Sequence, residues 1–112
     1  MRSSKVFWTE QATWDLKEIF EYIAKEDHIT AKKIFSKIRA SCSSLSHNSE
    51  RCNVISDLKT VGIRSYRQIL VVPYRIIFKL DSDRIFIVAV LDGRRDLETS
   101  LLQRLLRTNG ES

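Results

Sequence analysis

The order of hydrophobic periods along this chain predicts an α+β fold: a short N-terminal strand, an antiparallel helical hairpin, a three-stranded antiparallel sheet and a C-terminal helix. Three observations carry that prediction. Ala12, Leu16, Ile19, Phe20 and Ile23 share one helical face, as do Ala31, Ile34, Phe35, Ile38, Cys42 and Leu45 after a short break. Ser65 to Asp96, SYRQILVVPYRIIFKLDSDRIFIVAVLDGRRD, then falls into three β-branched and aromatic runs divided by turn residues. Finally, Leu97 to Leu106 returns to a helical stripe of Leu101, Leu102, Leu105 and Leu106.

Each element has a local reason. Lys5-Val6-Phe7-Trp8-Thr9 reads as the opening strand, and Thr9 is placed to cap the first helix, with Glu10 suited to its dipole. Asp15, Lys17, Glu18, Glu21 and Lys25 lie mainly off the apolar face. The pattern lapses around Asp27-His28, where Thr30 offers a second cap. The short break implies that the two helices run antiparallel. Ser46-His47-Asn48-Ser49-Glu50 ends the second helix, and residues 47–61 carry no firm pattern.

The strand registers follow from the turns. A tight turn at Val72-Pro73 sets Val71 opposite Tyr74 and Leu70 opposite Arg75. One sheet face then collects Ile63, Ser65, Arg67, Ile69, Val71, Tyr74, Ile76, Phe78 and Leu80, apolar enough to receive the helices although Arg67 sits awkwardly on it. The other, mixed and cationic, collects Arg64, Tyr66, Gln68, Leu70, Arg75, Ile77 and Lys79. Asp81-Ser82-Asp83 supplies the next turn. Phe86 to Leu91 is an uninterrupted apolar run, as expected of a strand covered on both faces.

With 112 residues the chain suits one domain, 1–112, with a single core. No apolar run approaches the roughly 18 residues of a membrane span, and no secretory signal is visible, so a cytoplasmic protein is expected. The net charge of +5 favours an anionic partner. Before Gly62 the basic residues are mostly lysine; from there on all but Lys79 are arginine, the side chain suited to bidentate contact with phosphate or carboxylate. The C-terminal half is therefore the expected contact surface. Cys42, His47 and Cys52 offer three metal donors with no evident fourth, so neither metal nor cofactor is expected. Cys42 falls on an apolar helix face and Cys52 in a loop. Trp8 and Trp14 are expected to pack in the core or the hairpin, and His28 and His47 to be solvent or cap residues.

Tyr74-Arg75-Ile76-Ile77-Phe78, followed six residues later by IFIVAVLDGRRDL, resembles the RelE/ParE superfamily, the small basic toxins of bacterial type II toxin–antitoxin, or plasmid stabilisation, modules. The resemblance runs from about Val6 to Leu106. It implies a partner antitoxin, with DNA met only through the antitoxin complex and no membrane. Two targets are implied by its branches. Ribonuclease members cut messenger RNA in the ribosome, and by resemblance Arg75, Arg94 and Arg95 match their active-site cations, with Tyr66 left as the proton acceptor. That chemistry needs groups that move protons beside the cations, and arginine does not readily lose its proton. This chain has Leu97-Glu98-Thr99-Ser100-Leu101-Leu102 where those toxins carry a Tyr or His, and no histidine or tyrosine after Tyr74. The gyrase-inhibiting ParE branch needs no acid–base pair. It is the leading reading, with Arg67, Arg75, Arg94 and Arg95 as target-binding residues. A degenerate module that binds an antitoxin without toxicity is a third reading, and Arg94-Arg95 between Asp92 and Asp96 as a plain salt-bridge turn is the bland one.

Overall fold

In the computed structural model, residues 4–49, 52–55 and 65–93 are described. They form β1 (Lys5–Trp8), α1 (Glu10–Ala24), α2 (His28–Ser43), a short α3 (Leu45–Asn48), β2 (Asn53–Val54), β3 (Tyr66–Val71), β4 (Tyr74–Asp81) and β5 (Arg84–Asp92). The expected closing helix lies outside the described residues. The expected α+β order is otherwise present. The sheet, however, has five strands in the order β1-β5-β4-β3-β2. The three expected strands are its antiparallel centre. β1 joins them parallel to β5, with Phe7 beside Phe86, and two residues of the patternless segment add β2 to the edge of β3. A two-residue strand is too short to show a period, which is why β2 left no mark in the sequence.

The caps fix the helices. Thr9 Oγ1 accepts the Ala12 amide at 3.2 Å as expected. The same hydroxyl donates to the Ile87 carbonyl at 2.7 Å, so one residue starts α1 and ties it to β5. The second cap is Asp27 rather than Thr30. Its Oδ1 accepts from the amides of Ile29 and Thr30, and its Oδ2 from the Thr30 hydroxyl. A carboxylate has about four acceptor sites and here takes three donors, one more than the two lone pairs of a hydroxyl could. These bonds, that from the Thr30 hydroxyl first, hold the Asp27 carboxyl below its ordinary value.

The β3–β4 register is the one the turn argument gives: Val71 opposite Tyr74, Leu70 opposite Arg75. Val71, Tyr74, Ile76 and Phe78 accordingly meet Ala12, Leu16, Ile38 and Cys42 in the main core, with Ile85, Ile87 and Val90 from β5. Arg67 projects from the same face. Two backbone carbonyls, those of Ser49 and Cys52, accept from its Nη1 at 3.5 and 3.3 Å. A register shift between Ile77 and Phe78 inserts one extra residue into β5, so that Phe78 faces Ile87 while Ile77 faces Ala89. Ala89 thereby joins Ile77 and Ile55 in a second, smaller cluster on the face away from the helices, with Tyr66, Val88 and Leu91 packed around it. The uninterrupted apolar run of β5 is thus buried on both faces. The face expected to be open is apolar at its centre because Ile55 packs there. Trp8 packs against the core, whereas Trp14 is half exposed beneath Lys17, whose Nζ lies 5.0 Å from its ring centre.

Candidate functional site

Arg75 lies on the sheet face opposite the helices, as the two-residue turn requires. Its strand is central, flanked by β3 and β5, so the backbone beneath it is fixed by ladders on both sides. The Arg75 Nη1 donates to Gln68 Oε1 at 3.3 Å. Gln68 is a diagonal neighbour, opposite Ile77 and two positions along from Arg75's own partner Leu70. Sequence reasoning placed Gln68 on this face without giving it a role. The diagonal from Arg75, once the register is known, was the signal.

The segment that carries the basic pair starts against this arginine. Gly93 donates its amide to the Pro73 carbonyl at 2.7 Å, docking the end of β5 on the β3–β4 turn. A Cβ at Gly93 would lie 2.8 Å from the Pro73 oxygen and 3.3 Å from both Cγ and Nε of Arg75. Glycine is therefore required by the closeness of the Pro73 carbonyl, with the Arg75 stem packed tightly beside it. Asp92 ends β5 opposite Tyr74. Arg94 and Arg95 follow directly in sequence but lie outside the described residues.

Tyr66 is at the other end of this face. It pairs with Lys79, whose Nζ lies 5.9 Å from the phenol ring centre. Lys79 stands four residues along β4 from Arg75, a backbone separation of roughly 13 Å at strand rise. Burial pushes the Tyr66 hydroxyl above its ordinary value of 10.0. His28 and His47 lie in α2 and α3, in the helical half. Of the residues singled out in the sequence, Arg75 and the start of the basic turn are brought together. Tyr66 stands apart from them and Arg67 is on the opposite face. Among the described residues no group of three or more His, Cys, Asp and Glu side chains could hold a metal ion.

The arrangement can present a guanidinium, oriented by an amide and set beside a hydrogen-bonded turn, to a carboxylate or phosphate. A family model described as the ParE toxin of the type II toxin–antitoxin system, parDE, matches residues 6–97. The chain belongs to the ParE toxin family. It is the toxin component of such a system, a member of the RelE/ParE superfamily, and has an antitoxin as its partner. The fold agrees with a solved structure titled as the chromosomal ParDE toxin–antitoxin system from P. aeruginosa. That match has a TM-score of 0.63 and 19% identity, covering 79% of this chain and 94% of that one. No curated protein gives a significant match. No helix among the described residues of this ParE toxin is long and apolar enough to cross a membrane.

Proposed function

We propose that this ParE toxin is an inhibitor of DNA gyrase, acting in the cytoplasm and held inactive by a cognate antitoxin. Arg75, with Arg94 and Arg95 that follow Gly93 in the sequence, forms the contact to the target. The observation that carries this reading is the condition of Tyr66, the proton acceptor that RNA cleavage would call on. Its phenol is raised by burial and its strand position is far from Arg75. A base that holds its proton at neutral pH, away from the cations, is poorly suited to activating a 2′-hydroxyl. Inhibition by binding makes no such demand. It needs cations on a firm support, which Gln68 and the Gly93–Pro73 bond supply around Arg75.

The experiment pairs a DNA supercoiling assay with primer extension on messenger RNA from translating ribosomes, with and without the purified chain. Loss of supercoiling with intact messenger RNA is the expected result. Codon-dependent cleavage with supercoiling untouched would establish the ribonuclease alternative. No effect in either assay would leave an antitoxin-binding module without toxicity.

A further inference from the structure

The cross-strand neighbours of Arg75 are apolar on both sides. The register sets Leu70 of β3 directly opposite it on one flank and Leu91 of β5 on the other. Leu91 packs on the small cluster of Ile55, Ile77 and Ala89, which carries the apolar surface on from the arginine. Leu70 is 62% exposed, and Val72, at the tip of the same hairpin, is 83% exposed. At such exposure neither side chain is part of the core, so packing does not call for an apolar residue at either position. Among the described residues the hydrogen-bond partner of the Arg75 guanidinium is the neutral amide of Gln68, which orients the cation without neutralising it. The next described cation along β4 is Lys79, four residues away.

An arginine flanked by exposed apolar side chains suits a protein surface better than a DNA backbone. Surfaces that grip DNA are polar and strongly positive, because each phosphate brings its own charge. Protein interfaces are built the other way. Their arginines sit among apolar contacts that exclude water, and an ion pair strengthens as water leaves. We propose that Leu70 and Val72 belong to the target contact, and that Arg75 there takes a carboxylate of the gyrase protein rather than a phosphate of its DNA. The proposal rests on the gyrase reading and adds which component of that protein–DNA target is gripped, and by what chemistry. Leu70 and Val72 keep water from the arginine, and the carboxylate supplies the charge that Gln68 does not.

The test measures binding of the full-length chain to purified gyrase without DNA and to duplex DNA without gyrase, beside supercoiling inhibition. Leu70→Ser, Val72→Ser and the double variant remove the apolar flank. Circular dichroism and a melting curve establish that each variant is folded. Wild-type chain is expected to bind gyrase alone. The double variant should bind it roughly tenfold or more weakly, with a matching loss of inhibition and duplex affinity within twofold of wild type. A zero-length carbodiimide, which joins an amine to a carboxylate, should couple the Arg75→Lys variant to an Asp or Glu of a gyrase subunit through position 75, read by mass spectrometry. A folded double variant with wild-type binding and inhibition would overturn the proposal and leave the gyrase reading in place. Equal losses towards gyrase and duplex DNA would assign the patch to phosphates and overturn it likewise. An Arg75→Lys variant that bound gyrase without such a coupling would overturn the carboxylate. Variants altered only in self-association, seen by sedimentation, would give the hairpin tip to a second copy and overturn the proposal. Wild-type chain that left supercoiling untouched would overturn the gyrase reading itself.

Discussion

The carboxylate of Asp15 in α1 accepts the backbone amide of Val90 in β5 at 3.0 Å, across 75 positions of sequence. Strand β1 stops pairing with β5 at Trp8 and Ile87, and the Thr9 amide takes the Ile87 carbonyl. Three residues further along β5, the side chain of Asp15 does what a strand neighbour would have done. This buried carboxylate completes a sheet edge that would otherwise hold an unmet N–H. Asp15→Leu should therefore lower stability by about 1–3 kcal/mol in urea unfolding, although it adds apolar surface to the core. Asp15→Asn keeps an acceptor and should lose less.

Gly93→Ala should separate stability from function. The added methyl meets the Pro73 carbonyl and the Arg75 stem, so either the turn or the arginine must shift. A modest loss of stability, about 1–3 kcal/mol as for other overpacking changes, is expected. Supercoiling inhibition should fall further than that loss explains at a temperature where the variant is folded.

On the proposed gyrase reading, Arg75→Ala, Arg94→Ala and Arg95→Ala should each weaken target binding by about 1–3 kcal/mol, as for a lost charge-assisted contact. Tyr66→Phe should leave inhibition within twofold, measured by supercoiling titration. A large loss on removing that one hydroxyl would speak for proton transfer.

Cys42 and Cys52 should differ in reactivity and in their effect at high pH. Cys42 is buried, and burial pushes its thiol up to about 12 from 9.0. The folded chain holds that proton where the unfolded chain releases it. The stability contribution is complete below pH 9 and is lost as pH rises towards 12. Cys42→Ala should flatten this alkaline limb in unfolding curves taken at increasing pH. With iodoacetamide, Cys52 should be modified first, and Cys42 at the rate of unfolding.

Ser82 opens the two-residue β4–β5 turn with φ of 56°. A β-branched residue there should be strained, so Ser82→Val is expected to cost about 1–2 kcal/mol, read as a fall in melting temperature. Ser82→Gly should be tolerated without such a fall.

The sheet centre was legible because Val72-Pro73 leaves one pairing parity, and parity alone places Arg75 away from Ile38 and Cys42 and Arg67 towards them. The helical hairpin was legible from its two apolar stripes. The contacts of Arg67 and Asp15 were not. Both depend on which backbone groups tertiary packing leaves unpaired, at Cys52 and at Val90, and no periodicity encodes that. The β5 bulge escaped for a related reason. In a run such as Phe86 to Leu91 every residue is apolar, so a one-residue slip leaves the pattern unchanged. Gln68 lay on the correct face, but its role appears only across the diagonal to Arg75.

The parallel pairing of β1 with β5 joins Lys5 to Arg84 and Trp8 to Ile87, nearly opposite ends of the described fold. On the ribosome, β1 and α1 are made well before the strand they rest on. The sheet cannot close over them until β5 emerges. Such distant contacts slow folding relative to a chain of local ones. On the proposed gyrase reading this timing has a use: Arg75, Arg94 and Arg95 are made late, so a growing chain lacks the proposed target-contact residues for most of its synthesis.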